Sequence, residues 1–116
     1  MNLIEVGKPS FPTIDIVRRL SVVMLLVLSA CSVGRPADDA SGEEIYQQLC
    51  ANCHGDDLNG GIGPPLGPGS NTANQADAFL EFTIMNGRGR MVSFSSSLND
   101  EQLDRLVAYL REEQAG

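Results

Sequence analysis

After residue 40, apolar positions recur at helical spacing in three stretches, and the first of these begins at Ser41. Ser41 followed by Glu44 three residues later is the pattern of a capping box, which predicts a helix N-terminus. The apolar residues of this stretch share one helical face: Ile45, Tyr46 and Leu49. We expect this helix to end near Cys50.

Two further helices are predicted downstream. Asn74 is the predicted N-cap of the second, which runs to about Asn86, with Gly87 as a C-terminal stop. The third follows Asn99, whose polar neighbours are typical of a helix N-terminus. Its apolar stripe is the most regular in the chain and consists of Leu103, Leu106, Val107 and Leu110.

Long irregular loops separate these helices. Residues 55–72 are rich in Gly, Pro, Asn and Asp, and residues 88–98 form a second loop. No stretch alternates apolar and polar residues as a strand would, and no internal repeat is present. The pattern therefore predicts an all-α domain of three or more short helices. Loops of this length in a compact domain need a further group against which to pack.

An almost uninterrupted apolar run lies nearer the N-terminus. Residues 20–33 follow Arg18 and Arg19, and the run suits the core of a signal peptide better than a membrane span, which needs about 20 apolar residues. It contains the sequence LSAC ending at Cys31. That sequence resembles the lipobox of bacterial lipoproteins, whose cysteine is lipidated as the preceding peptide is removed. An ordinary cleaved signal and an uncleaved anchor remain open, and each of these interpretations exports the domain.

The chain is therefore divided into a signal peptide of the lipoprotein type (residues 1–30), a lipidated cysteine with a flexible tether (residues 31–40) and a folded domain (residues 41–116). Residues 1–16 contain two acidic side chains and fit no signal-peptide n-region, which indicates an over-long gene model with a true start near Val17. We expect a membrane-anchored lipoprotein that faces the periplasm or the cell exterior.

The composition is acidic. The full chain has 8 basic and 15 acidic residues, and removal of residues 1–30 takes 3 basic and 2 acidic residues with it, so the remainder has a formal net charge of −8. This charge argues against nucleic acid as a partner and favours proteins that present a basic docking surface. With no Trp, four Phe and two Tyr, the domain can bury only a modest apolar core, which a non-protein group would complete.

The pentapeptide CANCH, from Cys50 to His54, carries the strongest chemical signal. Cys-x-x-Cys-His is the attachment signature of c-type haem. Thiols at positions i and i+3 lie on one side of a helical turn and can add across the two haem vinyl groups, while the next residue directs its imidazole at the iron. We therefore predict one haem c, bound covalently through Cys50 and Cys53 and ligated by His54.

Three other interpretations of this motif are weaker. A thioredoxin-like dithiol needs a βαβ setting, which the pattern lacks. A zinc site needs four ligands and would use Cys31, inside the signal region, together with every other Cys and His in the chain. A disulfide between Cys50 and Cys53 would close a strained two-residue loop.

Around this motif the chain resembles the small monohaem class I cytochromes c, in which histidine and methionine ligate the iron. The match covers nearly everything from Gly42 to Leu110. The first helix of that family has a Gly and, four residues later, an aromatic residue, as Gly42 and Tyr46 do here. Its last helix has a Leu and, three residues later, an aromatic residue, matched by Leu106 and Tyr109. The resemblance implies the small cytochrome c fold, with these helices crossing and with long loops wrapped around one covalent haem.

The resemblance also assigns the surroundings of the histidine ligand. The family's Gly-Pro-x-Leu segment is present as GPPL at positions 63–66. It implies that the Pro64 carbonyl accepts the second imidazole N–H of His54, which fixes the orientation of the ligand. It also implies that Leu66 packs on the haem face.

The sixth ligand follows from the same resemblance. His54 is the only histidine, so methionine is the natural choice. The Gly-rich stretch around Met91 resembles the family's Met-ligand loop, whereas Met85 falls within the second predicted helix and is more typical of packing. The family commonly has Pro after this Met, and Val92 stands there instead, which removes a restriction on the loop.

An iron held between His54 and Met91 predicts an electron carrier rather than an enzyme. Two alternatives remain: a haem domain that acts as a ligand sensor or minor peroxidase, and a fixed electron-transfer subunit of a larger dehydrogenase or oxidase. The expected partners are redox proteins with basic docking surfaces, such as an oxidase, reductase or dehydrogenase, and the membrane through the N-terminal lipid.

Overall fold

The computed structural model describes residues 15–21 and 34–116. The chain divides into two compact units, Met1–Val33 and Gly34–Gly116. In the first unit, residues 15–21 are helical. None of the helices described is long and apolar enough to cross a bilayer. The predicted lipidation site, Cys31, lies outside the described residues, so the lipoprotein interpretation stays a prediction.

The second unit is helical. Its elements are α1 (Gly42–Leu49), α2 (Ala51–His54), a 3-10 turn (Asn71–Asn74), α3 (Asp77–Asn86) and α4 (Asp100–Ala115). Between residues 34 and 116 the only β-type pairing is an isolated bridge from Arg88 to Met91. The predicted all-α class is confirmed, with long loops before and after α3.

Helix α1 begins and ends as its sequence predicts. The Ser41 side chain accepts a hydrogen bond from the Glu44 backbone, and the Glu44 carboxylate accepts one from the Ser41 N–H at 2.8 Å. The helix stops at Leu49, with Cys50 as its C-cap. Its face towards the core carries Ile45 and Tyr46, both fully buried.

Helices α1 and α4 cross at Gly42. A Cβ atom on Gly42 would collide with the backbone carbonyl of Arg105 and would lie 2.6 Å from the Cβ of Tyr109. The ring centroids of Tyr46 and Tyr109 are 5.6 Å apart at this crossing, a tilted aromatic contact. Leu106 of α4 is fully buried beside them. The predicted crossing of the first and last helices is therefore confirmed.

The N-terminus of α4 secures the chain that precedes α1. Asn99 and Gln102 form a capping box, and the Gln102 amide also donates to the Ala37 carbonyl at 3.0 Å. The Arg105 guanidinium donates to the Asp38 carbonyl at 2.6 Å, and Ala40 is buried in the core. Residues 36–40, assigned to a flexible tether on sequence grounds, thus belong to the folded unit, because side chains of α4 bind their carbonyls.

The second helix starts later than predicted. Asn74 ends the 3-10 turn instead of capping a helix, and α3 begins at Asp77 after Ala76. The Arg111 guanidinium from α4 donates to the Thr72 carbonyl at 3.3 Å and pairs with the Asp77 carboxylate at 2.7 Å. Arg111 also donates to the Gln75 carbonyl, which a helix capped by Asn74 would bond internally to the Phe79 N–H. The Phe79 N–H donates to the Ala76 carbonyl instead, at 3.0 Å. The predicted end is correct, since Gly87 terminates α3 with a φ of 75°.

Substitution of Gly42 by Ala should destabilise the folded protein by about 1–3 kcal/mol, because the added methyl group forces α1 and α4 apart. The free energy of unfolding in urea measures the effect. Gly34→Ala is the matched control, because a Cβ at Gly34 meets no atom within 4 Å. Equal denaturation midpoints for the two variants would contradict the close crossing.

Candidate haem site

A cavity of about 670 Å³ lies beside the α1–α2 junction, within the range of about 300–1,000 Å³ usual for small-molecule and cofactor sites. Its walls come from the helices and from both long loops. The apolar side chains in the lining include Leu49, Leu66, Phe79, Leu80, Ile84, Phe94 and Leu110. A core that surrounds a cavity of this size agrees with the expectation that a non-protein group completes it.

The CANCH motif lies on one edge of this cavity. Cys50 is the residue between α1 and α2, and its carbonyl accepts hydrogen bonds from the backbones of Cys53 at 3.1 Å and His54 at 3.0 Å. Cys50, Cys53 and His54 all line the cavity. The short helical turn thus brings both thiols and the imidazole to the same wall.

The two cysteines are free thiols in different surroundings. Cys50 is buried and Cys53 is exposed. Burial, with a smaller contribution from Cys53, raises the pKa of Cys50 to about 12. Cys50 is therefore a neutral thiol at physiological pH. A thioredoxin-like dithiol needs a βαβ setting, and the elements of residues 34–116 include no strand.

The zinc interpretation depends on Cys31, which lies outside the described residues. Residues 15–21 and 34–116 contain no group of three or more Cys, His, Asp or Glu side chains able to hold a metal ion.

The imidazole of His54 is held in one orientation. Its Nδ1 lies 2.8 Å from the Pro64 carbonyl oxygen, which can only accept, so Nδ1 carries the proton and Nε2 has the free lone pair. The ring is buried. Gly63 makes this approach possible, because a Cβ there would lie 2.9 Å from the ring atoms.

The loop after the motif is fastened to it by backbone hydrogen bonds. The Gly63 N–H donates to the Cys53 carbonyl and the Gly60 N–H to the His54 carbonyl, both at 2.7 Å. The Tyr46 hydroxyl donates to the Gly55 carbonyl at 2.6 Å. Burial raises the pKa of Tyr46 to about 12, so this hydroxyl keeps its proton. Sequence reasoning gave Tyr46 only a packing role and missed this hydrogen bond.

Leu66 is half-buried in the cavity wall. Its backbone N–H donates to the Leu58 carbonyl at 2.9 Å, and its own carbonyl accepts from the Gln114 side chain at 2.9 Å. The last turn of α4 therefore fixes the loop that carries Pro64 and Leu66. The role of Gln114 was not foreseen, because nothing in the local sequence links it to a residue 48 positions earlier.

Met91 also lines the cavity, whereas Met85 packs against the core outside the lining. Met91 sits at the end of a tight turn, where its N–H donates to the Arg88 carbonyl at 3.0 Å and its carbonyl accepts from the Arg88 N–H at 3.1 Å. A Cβ on Gly87 would lie 2.6 Å from the Met91 carbonyl oxygen. The turn thus brings a thioether into the same cavity as His54.

The residues after Met91 are secured although Val92 replaces proline. The Ser93 hydroxyl donates to the Met85 carbonyl, and the Phe94 N–H donates to the Ile84 carbonyl at 3.0 Å. Both acceptors belong to the last turns of α3. Hydrogen bonds therefore provide a restraint on the loop where the φ restriction of proline is missing, and no sequence signal predicted them.

These residues fit a c-type haem. Two free thiols and an oriented imidazole share one wall of an apolar cavity that also receives a methionine side chain. This donor set matches thioether attachment with His and Met ligation.

Comparison with known proteins also indicates a c-type cytochrome. A family model described as cytochrome c oxidase, cbb3-type, subunit III, matches residues 37–110. Dihydro-heme d1 dehydrogenase of Pseudomonas aeruginosa is 37% identical over 95 residues, which are 80% of this chain and 18% of that protein. Cytochrome c6 of Leptolyngbya boryana is 32% identical over 79 residues, 64% of this chain and 91% of that protein.

A solved structure shows the same fold. The crystal structure of cytochrome cL from Hyphomicrobium denitrificans is 34% identical and superposes with a TM-score of 0.55, covering 60% of this chain and 44% of the other. The chain thus spans less than half of cytochrome cL and under a fifth of the dehydrogenase, but nearly all of cytochrome c6.

Replacement of Met91 by Ala should abolish the Met-to-iron charge-transfer band of the ferric protein and lower its reduction potential, because thioether ligation raises the potential. Absorption spectra and voltammetry of the haem-loaded protein measure both effects. Met85→Ala is the control and should keep the band. The reverse outcome, with the band kept in Met91→Ala and lost in Met85→Ala, would transfer the ligand role to Met85.

Proposed function

The chain belongs to the cytochrome c family, as a small class I cytochrome c with covalently bound c-type haem, and on this premise we propose that it is a carrier of single electrons rather than an enzyme. The observation that carries the proposal is the convergence of Cys50, Cys53, His54 and Met91 on one apolar cavity. Bound there, the haem would supply an iron that alternates between Fe(II) and Fe(III).

The protein's contribution is to hold its ligands still. We propose that His54 and Met91 would ligate the iron and that the two thiols would attach the haem. The hydrogen bond from His54 to the Pro64 carbonyl restrains the imidazole, and the Arg88–Met91 turn restrains the thioether. Ligands that keep their positions in both oxidation states let an electron enter or leave with little rearrangement.

The cavity walls regulate the environment of the iron. Leu66 and the other apolar side chains form most of the lining, and such a low-dielectric setting together with a Met ligand would favour a higher potential than two imidazoles would give.

The protein is proposed to act outside the cytoplasm. The lipobox-like sequence at Cys31 supports a lipoprotein held at a membrane and facing the periplasm or cell exterior. Its partners would be redox proteins, such as an oxidase, reductase or dehydrogenase, and the net charge of the domain favours basic ones at long range.

A fixed subunit of a larger enzyme is the second candidate. The family model is that of an oxidase subunit, and the domain matches only 18% of dihydro-heme d1 dehydrogenase. Domains of this type therefore occur inside larger redox proteins. A ligand sensor or minor peroxidase would need an open sixth position on the iron, which the restrained Met91 turn does not favour.

Voltammetry and absorption spectroscopy of the purified protein test the carrier function. We expect one reversible one-electron couple, with six-coordinate, low-spin spectra in both oxidation states. A five-coordinate ferric form that reacts with peroxide would support the sensor or peroxidase alternative and contradict the carrier. Persistent co-purification with a dehydrogenase or oxidase would support the fixed subunit.

A further inference from the structure

One residue shortly after the CANCH motif has an unusual backbone conformation. Leu58 has a φ of 61°, and in the described part of the chain every other residue with a positive φ is a glycine. Left-handed backbone is sterically unfavourable for a leucine, so it persists only where the surrounding structure imposes it. The contacts of Leu58 therefore indicate what this conformation maintains.

The side chain of Leu58 fixes the residue in the core. It is 3% exposed and packs in the cluster of buried apolar residues, outside the lining of the cavity. Its backbone N–H donates to the Gly55 carbonyl at 3.2 Å, directly after the motif. The Tyr46 hydroxyl donates to the same carbonyl. Leu58 is thus bound to the end of the CANCH turn without lining the cavity itself.

The carbonyl of Leu58 binds a later segment of the same loop. It accepts hydrogen bonds from the backbones of Leu66 at 2.9 Å and Gly67 at 3.2 Å. The direction of the chain through a residue depends on its φ, so a change of Leu58 to negative φ would disrupt this pair of hydrogen bonds. The left-handed conformation therefore maintains the link between the motif and residues 66–67.

Two consecutive prolines depend on this link. Pro64 and Pro65 have no N–H group, and both are exposed, so neither a backbone donor of their own nor burial holds them in place. Their position is set from either side. The Gly63 N–H binds the motif before them, and the Leu66 N–H binds Leu58 after them.

We propose that Leu58 is a positioning residue for the histidine ligand and acts through the Pro64 carbonyl. Its left-handed conformation, imposed by burial of the side chain, keeps that carbonyl 2.8 Å from Nδ1 of His54. An acceptor on the second ring nitrogen makes an imidazole a stronger ligand, which favours Fe(III). The inference rests on the proposed electron-transfer function and adds to it a residue that adjusts the reduction potential from outside the cavity.

Two substitutions separate backbone conformation from side-chain volume. Leu58→Val keeps most of the buried volume, but a β-branched residue is strongly disfavoured at positive φ. Leu58→Gly loses the whole side chain and adopts positive φ without steric cost. If Leu58 acts through its backbone, Leu58→Val perturbs His54 more than Leu58→Gly does. If Leu58 only fills the core, Leu58→Gly has the larger effect, and the proposal is overturned.

The Nδ1 proton of His54 provides the direct readout. In the haem-loaded, reduced protein, NMR measures the exchange of this proton with solvent, and voltammetry measures the reduction potential. Leu58→Val should accelerate the exchange about two- to tenfold, the range expected for weakening of one neutral hydrogen bond. The potential should rise, because a weaker acceptor leaves the imidazole a poorer donor to Fe(III).

Leu103→Val is the matched control. Leu103 is also buried and outside the cavity lining, but it lies within the regular helix α4. Its substitution removes the same methylene group and should leave the exchange rate and the potential unchanged. Equal changes in the two valine variants, or an unchanged or lowered potential in Leu58→Val, would overturn the proposal. This comparison is sufficient even if Leu58→Gly does not retain haem.

Failure of the proposed function would be seen in the unaltered protein, as a five-coordinate ferric iron or the absence of a reversible one-electron couple. A reversible couple in the unaltered protein, together with equal behaviour of the two valine variants, would refute only the role of Leu58.

Discussion

Placement of two thiols and an imidazole on one helical turn is the constraint on which the rest of the domain depends. The break between α1 and α2 at Cys50 creates that turn. Backbone hydrogen bonds from Gly60 and Gly63 then fold the following loop back onto it, and the Pro64 carbonyl fixes the histidine. The α1–α4 crossing at Gly42 holds the opposite end of α1. Together these contacts hold the cavity wall that carries Cys50, Cys53 and His54 in a fixed position.

Local patterns predicted the ends of the helices, because caps depend on residues a few positions apart. The boxes at Ser41 and Asn99 and the stop at Gly87 are of this kind. The start of α3 was mispredicted, since Arg111 binds the carbonyl of Gln75, 36 positions away. The docking of residues 36–40 on α4 was missed for the same reason.

The candidate site was predictable to a similar extent. A contiguous motif identified Cys50, Cys53 and His54, and the family resemblance added Pro64 and Met91. The restraints on those residues came from elsewhere in the chain: Tyr46 through its hydroxyl, Gln114 through its amide and the Met91 loop through α3. Side chains that support a site across long sequence separations leave no periodic or local signal.

The mass of the mature protein tests the central claim most directly. The chain should be expressed in a host that exports it and attaches haem, and then measured intact under denaturing conditions alongside a haem-stained gel. The account predicts the mass of the polypeptide, with any lipid, plus one haem that stays attached during denaturation. A mass explained by amino acids and lipid alone would contradict it.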